Sequence, residues 1–402
     1  MKKTMLLAAA LLLPCLVRAE PAPKPPNRAQ LAAEKANAVA FKFNPKAQET
    51  PGNVLFSPYG LHSAFSVIYD GARGKTAEEI RGVFDFNADT VAVRGEAWLL
   101  RKEIRRSAAG SEFIQASSVW YQRGFTFLPE FEAALKKYYA ASGETANFRT
   151  APAKAAGEVN AWATQRTGGK ISGLFDGNSF TSLTRLALAN AVYFRGKWKT
   201  PFDKQATADQ DFTLESGEKV KVSTMFSGVP VKAGYYEDAD VQAAALPYAG
   251  GTLRMLLLLP PAGKSAAELG KALSPERLAA IRGGLKPPRG NLLVYLPGFK
   301  FSSNWNLNPP LSGLGMPQAF AQGADLSGMD GTTNFYIQQS AQKALVEVNE
   351  EGTEAGAAAG LKGKARPAKA KVFRADRPFI FLIEDARTGL ILCIGRVSDP
   401  RG

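Results

Sequence analysis

The chain has 402 residues, 45% of them hydrophobic and 21% charged, a composition that indicates a folded globular protein and excludes an extended disordered chain. Its formal net charge of +14 favours anionic partners without identifying one. One histidine and two cysteines exclude a His-rich zinc site and a disulfide framework.

The N-terminus has the features of an export signal. Lys2 and Lys3 precede an almost unbroken apolar stretch over residues 5–17, and small side chains then stand where a signal peptidase would cut after Ala19. We therefore expect a secreted or periplasmic protein. Removal of the leader takes away three positive charges and leaves +11 on the mature chain.

The composition shifts suggest three parts. We predict a signal peptide over 1–19, a proline-rich spacer over 20–27 and a single domain over 28–402. Cys15 could instead be the lipid-attachment site of a lipoprotein. Pro14 disfavours this alternative, because a lipid-attachment signal requires a small residue at that position.

Hydrophobic periodicity predicts the elements of this domain in chain order. They are a helix at 28–42, a strand at 53–56, helices at 61–69, 76–83, 96–107 and 130–141 with a strand at 117–121, a helix at 154–167, and strands at 186–194, within 213–260, at 292–296 and at 379–384. Helices cluster early and strands dominate later, which indicates an α+β fold of several sheets.

The sequence motifs do not favour an enzyme. A Ser-His-Asp triad would have to use His62, and no G-x-S-x-G turn presents a serine. A locally hydrogen-bonded helix residue is the simpler interpretation of His62. The Gly74-Lys75-Thr76 stretch lacks the earlier glycine of a phosphate-binding loop, since Tyr69 stands there. Thr76 is better explained as a helix N-cap, with Glu79 three residues on. No cofactor or metal signature is found, and Cys393 fits a buried strand.

A series of motifs stands in a fixed order from about residue 28 to the C-terminus. Its blocks are Asn53-Val54-Leu55-Phe56-Ser57-Pro58, Gly71-Ala72-Arg73-Gly74-Lys75-Thr76, Asn190-Ala191-Val192-Tyr193-Phe194-Arg195-Gly196-Lys197-Trp198, Leu246-Pro247-Tyr248, Leu296-Pro297-Gly298-Phe299, Leu314-Gly315-Met316, Val346 to Ala355, Asp376-Arg377-Pro378-Phe379 and Gly395-Arg396-Val397. In this order the blocks resemble the serpin family of protease inhibitors.

The resemblance implies a large central mixed sheet, two further sheets, about eight or nine helices and an exposed reactive-centre loop over about 350–371. It also implies a hinge, and a shutter and breach region where the strands of the large sheet part. The implied hinge residues are Glu350, Glu351, Gly352, Thr353, Glu354, Ala355, Gly356, Ala357 and Ala358. The implied shutter and breach residues are Ser57, Asn190, Gln342 and Trp198. Two departures stand out, because serpins usually have serine at Gly60 and often histidine at Gln342.

The segment from Gly352 to Pro367 alternates with period two. One set of alternate residues, beginning at Thr353, carries no charge, and the other set carries every charge. Yet glycine, alanine and lysine are poor strand formers. The pattern predicts a strand and the composition predicts an exposed loop, so the segment is interpreted as a conformational switch. A low-complexity linker is the alternative interpretation.

The resemblance places the reactive bond between Arg366 and Pro367, fourteen residues after the hinge glycine. Arginine there implies a trypsin-like target, but a following proline hinders such enzymes. Cleavage next to Lys364 or after Ala365 is the alternative, the latter by an elastase-like protease.

The implied partner is a target endopeptidase of the serine or cysteine class, trapped by a monomeric, single-use inhibitor. No nucleic-acid partner and no membrane span are expected. A non-inhibitory serpin acting as a chaperone or polyanion-binding protein is the alternative function. The polyanion candidates lie on one helix, where a solvated basic face is the simpler interpretation. They are Arg101, Lys102, Arg105 and Arg106.

Overall fold

The computed structural model describes residues 27–289, 291–351 and 370–402. These residues form ten α-helices, together with a π-helical turn at Leu135–Tyr139 and a 3₁₀ turn at Pro317–Phe320. No helix in these ranges has both the length and the apolar character needed to cross a membrane. The helices are α1 Arg28–Ala47, α2 Pro58–Gly71, α3 Gly74–Phe84, α4 Thr90–Ser107, α5 Pro129–Ala134, α6 Pro152–Arg166, α7 Ala266–Lys271, α8 Pro275–Gly284, α9 Asn308–Gly313 and α10 Ser327–Asp330.

Fifteen strands alternate with these helices and dominate the second half of the chain. They are β1 Val54–Phe56, β2 Ser111–Gln122, β3 Ser142–Ala146, β4 Leu186–Gly196, β5 Asp203–Thr213, β6 Lys219–Phe226, β7 Gly234–Glu237, β8 Gln242–Pro247, β9 Leu253–Leu259, β10 Leu292–Pro297, β11 Phe299–Asn306, β12 Gln339–Val348, β13 Lys371–Arg374, β14 Phe379–Asp385 and β15 Ile391–Val397.

The strands assemble into three sheets. The mixed five-stranded sheet, called the central sheet below, has the order β11-β12-β4-β2-β3. A six-stranded sheet has the order β1-β15-β14-β9-β8-β7, and a four-stranded sheet has the order β13-β10-β6-β5. The predicted α+β class, with a central mixed sheet and two further sheets, is confirmed.

Strand β4 is buried on both faces, as its apolar sequence predicts. Ala187, Ala189 and the following odd-numbered residues pack in the cluster that contains α6. Leu186 and Leu188, on the opposite face, pack in the cluster that contains α2. Asn190 is the polar exception on this second face, and it is fully buried. A buried amide at mid-strand requires hydrogen-bond partners, and those partners define the site described below.

The described residues hold ten α-helices, close to the eight or nine that the resemblance implies, and α7, α9 and α10 are only four to six residues long. One helix prediction needs correction. The predicted helix at 130–141 becomes α5 followed by the π-helical turn. It ends at Tyr139, because Ala140 adopts a left-handed conformation with φ of 51°.

The predicted N-cap role of Thr76 is wrong. Helix α3 begins at Gly74, and its N-cap residue Arg73 makes no side-chain capping bond. The Thr76 hydroxyl instead accepts a hydrogen bond from the backbone N–H of Asp325 at 2.9 Å. Glu79 likewise accepts from the backbone N–H of Gln318 at 2.8 Å. Both side chains bind a distant segment, so tertiary contacts replaced the local capping pattern.

Candidate functional site: the seam of the central sheet

Strands β4 and β12 are direct parallel neighbours, and we call their boundary the β4–β12 seam. The register pairs Asn190 with Gln342 and Arg195 with Glu347. A chain that leaves β12 and turns back beside it runs antiparallel to β12, and therefore antiparallel to β4 as well. A strand formed by the residues after β12 could thus pair antiparallel with both sides of an opened seam.

A chain of buried side-chain hydrogen bonds crosses beneath this seam. Gln342 Oε1 accepts from the backbone N of Ser57 at 2.8 Å, and Gln342 Nε2 donates to Asn190 Oδ1 at 2.7 Å. Asn190 Nδ2 donates to Ser117 Oγ at 2.9 Å, and Gln115 Nε2 donates to the same oxygen at 2.8 Å. Because Ser57, Asn190 and Gln342 are buried, separating the strands would leave these groups unpaired at a cost of about 1–3 kcal/mol each.

The space around Gln342 explains both departures from the family pattern. Gly60 lies in the first turn of α2, where its backbone N donates to Ser57 Oγ at 2.9 Å. A Cβ atom at position 60 would lie 2.7 Å from Asn190 Oδ1, 2.8 Å from Gln342 Nε2 and 2.9 Å from Val192 Cγ2. The glutamine amide therefore occupies the volume that a serine at position 60 would need. The glycine and the glutamine are one coupled arrangement.

The residues that follow β12 are attached to the segment that follows β4. Trp198 Nε1 donates to the carbonyl of Asn349 at 2.8 Å, and the backbone N of Trp198 donates to the carbonyl of Glu351 at 3.0 Å. The backbone N of Phe202 donates to the carbonyl of Glu350 at 3.2 Å. Trp198 therefore lies where residues 349–351 leave the sheet, and it holds them beside β4.

Charged side chains reinforce this attachment. Arg195 contacts Glu351 at 2.5 Å and Glu347 at 3.7 Å, and Lys300 contacts Glu347 at 3.1 Å. Burial disfavours the charged guanidinium, but the two carboxylates outweigh it and raise the pKa of Arg195. Such partly exposed pairs contribute about 0–1 kcal/mol each. They orient residues 347–351 more than they stabilise the fold.

Gly196 allows the ring stack that supports Trp198. Tyr248 stacks on Trp198 with centroids 4.5 Å apart and an interplanar angle of 14°. A Cβ atom at position 196 would lie only 2.3 Å from Tyr248 Cε1, so a larger residue there would displace the tyrosine. The motifs Gly196-Lys197-Trp198 and Leu246-Pro247-Tyr248, far apart in sequence, therefore meet at one packed contact.

Most of the predicted hinge lies outside the described residues. Glu350 and Glu351 are described, whereas residues 352–358 are not. The predicted reactive bond between Arg366 and Pro367, with its alternatives Lys364 and Ala365, also lies outside the described residues.

The four predicted polyanion-binding residues all lie on α4. Lys102, Arg105 and Arg106 are exposed, whereas Arg101 is half-buried. Arg101 donates to the backbone carbonyl of Tyr138 at 3.1 Å, and burial lowers its pKa. Three of the four cations are thus exposed to solvent, with Arg106 also 3.7 Å from Glu103, and the fourth is engaged by the fold.

His62 and Cys393 have no chemical role in this site. The His62 ring packs edge-on against Phe86 with centroids 4.9 Å apart, and the expected local hydrogen bond of the ring is absent among the described residues. Burial, with a smaller effect of Lys35, lowers the pKa of His62 to about 3. Burial raises the pKa of the Cys393 thiol to about 12. At neutral pH the ring is neutral and the thiol protonated.

Sequence reasoning missed five residues of the site: Ser117, which accepts a hydrogen bond from Asn190, and four others. Arg195 and Phe202 bind the start of the hinge, and Gln115 extends the hydrogen-bond chain beneath the seam. Thr207 Oγ1 also donates to Glu350 Oε1 at 2.9 Å. Only Arg195 could have been found from the sequence, because a charged residue near the end of an otherwise apolar strand needs a partner of opposite charge.

The chain is an α+β protein with three sheets, in which the parallel strands β4 and β12 are direct neighbours and residues 349–351, after β12, are bound to the segment after β4. The family model described as "Serpin (serine protease inhibitor)" matches residues 34–400. The chain belongs to the serpin family. Its relatives are named as protease inhibitors, so the chain is a member of an inhibitor family and not of an enzyme family.

Relatives come from distant organisms. The chain is similar to the leukocyte elastase inhibitor of Bos taurus, with 35% identity over 92% of this chain and 100% of the relative. An uncharacterized serpin-like protein of Thermococcus kodakarensis is 34% identical over 91% of this chain and 85% of its own. The solved structure of serpin-12 from Manduca sexta superposes with a TM-score of 0.81 at 26% identity, covering 92% of this chain and 98% of that structure.

Proposed function

We propose that this serpin is a suicide-substrate inhibitor of trypsin-like serine endopeptidases. The observation that carries the proposal is the direct parallel pairing of β4 with β12, whose end continues through residues 349–351 into residues 352–369. A cut after residue 366 would leave 352–366 attached to β12 and free to pair antiparallel with both strands.

The chemistry begins as ordinary proteolysis. The protease serine attacks the carbonyl carbon of Arg366, the bond to the nitrogen of Pro367 breaks, and an acyl-enzyme ester forms. Insertion of residues 352–366 then carries the tethered protease along the sheet before water can hydrolyse the ester. Inhibition therefore depends on the rate of insertion relative to deacylation.

The small side chains at alternate hinge positions support fast insertion. Thr353, Ala355 and Ala357 belong to the uncharged set that would face the interior. Burying a charge at one of these positions would cost several kcal/mol. Insertion would then be slower than deacylation, and the protease would be released.

Trypsin should form a covalent complex with the intact protein that survives SDS. Replacing Arg366 by Glu should abolish that complex, because a trypsin-like pocket requires a cation. Replacing Thr353 by Glu should keep the cut but remove the complex, because the buried charge blocks insertion without adding a tryptic bond, so the variant becomes a substrate. Gel electrophoresis and mass spectrometry of the released peptide measure both effects. Simple turnover of the wild-type loop would instead indicate a non-inhibitory serpin.

We also propose that the protein acts outside the cytoplasm as a monomer, with its leader cut after Ala19. The apolar stretch after Lys2 and Lys3 supports this localisation. N-terminal sequencing of protein from the periplasm and medium should begin at Glu20, and size exclusion should give one chain. A mature protein that retains Met1 contradicts the export proposal.

Polyanion binding by α4 is a second proposal, supported by the exposure of Lys102, Arg105 and Arg106 on one helix. Their triple replacement by Gln should lower the salt at which the protein leaves a heparin resin. The matched control replaces three exposed lysines elsewhere by Gln. These control positions are Lys154, Lys204 and Lys264. Equal elution of the two triple variants would mean that only net charge matters.

A further inference from the structure

A cavity of about 150 Å³ lies beside the segment that holds the start of the hinge. It is bounded by residues 198–202, by the 227–233 segment, by the end of β8 and by the middle of β10. None of the site interactions described above uses the interior of this cavity.

The walls of the cavity are mainly apolar. The rings of Trp198 and Phe202 meet edge to face with centroids 5.7 Å apart, and they are only 2% and 7% exposed. Leu246 and Val294 add buried aliphatic surface. An apolar cavity of about this volume is large enough for one benzene ring.

The charged residues of the lining are all cations. Lys199 and Lys232 line the cavity and are exposed, and no aspartate or glutamate is among the described residues that line it. Two ammonium groups beside an apolar interior favour a ligand with an apolar body and an anionic head.

We propose that this cavity binds a small amphipathic carboxylate with one aromatic ring. The ring lies against Trp198 and Phe202, and the carboxylate faces Lys199 and Lys232 at the mouth. The cavity volume limits the apolar part to a single ring, so bicyclic and long-chain acids fit poorly.

The position of the cavity gives the ligand a regulatory effect. Trp198 and Phe202 form one of its walls, and their N–H groups hold the carbonyls of residues 349–351. A ligand that holds both rings in place stabilises these bonds and opposes departure of the hinge from β4. Ligand should therefore slow covalent inhibition, a consequence that rests on the proposed function. Binding itself does not depend on that function.

Calorimetric titration of the full-length protein tests the site with three probes of similar size. These are 3-phenylpropanoate, 3-phenylpropan-1-ol and 3-phenylpropylamine, which share one phenyl ring and a three-carbon chain and carry an anionic, a neutral and a cationic head group. The carboxylate should bind about three- to tenfold more tightly than the alcohol, the gain expected from two exposed cations, and the amine should bind weakest. Equal affinities, or no saturable binding of the carboxylate, would overturn the proposal.

Two variants locate the binding. Replacing Lys199 and Lys232 by Gln should remove the preference for the carboxylate, whereas replacing the exposed Lys154 and Lys264 by Gln should leave it unchanged. Replacing the buried Ala233 by Leu should fill the cavity and weaken all probes, with the melting temperature checking the fold. Unchanged affinity in the Lys199 and Lys232 variant would place the ligand elsewhere. A ligand that binds without slowing trypsin capture would reject only the regulatory effect.

Discussion

Cleavage of the chain after Arg366 should raise its melting temperature by about 15 °C. Insertion adds a strand to the β4–β12 seam and forms up to about a dozen further backbone hydrogen bonds, each worth about 1 kcal/mol net. Unfolding entropies of about 2.1 cal/mol/K per residue convert about 12 kcal/mol into that shift for a chain of this size. Differential scanning fluorimetry of the intact and nicked proteins measures it.

The control for this experiment is a variant that is cut at the same bond but cannot insert. Replacing Thr353 and Ala355 by Glu places two charges at positions of the inward set without adding a tryptic bond, so the nicked variant should melt close to its intact form. If nicked wild-type protein melts within about 2 °C of intact protein, the loop gains nothing from the sheet and the proposed mechanism is wrong.

The predicted stabilisation has a physical origin in the seam. Opening it breaks the parallel pairing of β4 with β12 and the contacts of Trp198 with residues 349–351. Insertion then provides two antiparallel ladders in place of one parallel ladder. Under the proposed mechanism the contacts of Trp198 with residues 349–351 would act as a kinetic barrier, because they would be lost before the new ladders form.

The fold was largely predictable because its signals are local and ordered. The apolar run of β4, the glycine stop after α6 and the buried strand around Cys393 follow from periodicity and turn chemistry. Thr76 was mispredicted because its hydroxyl binds Asp325, a contact that no local pattern carries. The short helices α7, α9 and α10 were not predicted, because each has too few residues to show a hydrophobic period.

The site was predictable only as a set of residues, not as a geometry. The resemblance identified Ser57, Asn190 and Gln342, and the structure brings them into one hydrogen-bonded chain. The role of Gly60 could not be inferred from spacing, because it depends on the volume of a glutamine 282 positions later. Helix propensity does not explain Gly60 either, because glycine inside a helix lowers stability by about 0.5–1 kcal/mol relative to alanine. The glycine is therefore explained by the space that it leaves for its neighbours.

Replacing Gly60 by Ser should destabilise the protein by about 1–3 kcal/mol, the usual cost of adding atoms to a packed core. The new Cβ atom would overlap Asn190, Gln342 and Val192, so the amide pair that bridges the seam must move. Replacing Gln342 by His alone should also destabilise, because the ring cannot reproduce all bonds from Gln342 to Ser57 and Asn190. Denaturant unfolding of each variant gives the free energies.

The double replacement separates a coupled pair from two independent sites. Serine and histidine are the residues that the family pattern has at these positions, and replacing Gln342 removes one of the three side-chain atoms that would lie within 3 Å of a Cβ atom at position 60. We expect the double variant to recover stability, with an interaction energy of about 0.5–3 kcal/mol between the two replacements. If the stability losses of the two single variants simply add in the double variant, the glycine and the glutamine act separately. A recovered double variant that also captures trypsin would show that two different hydrogen-bond arrangements can hold the same seam.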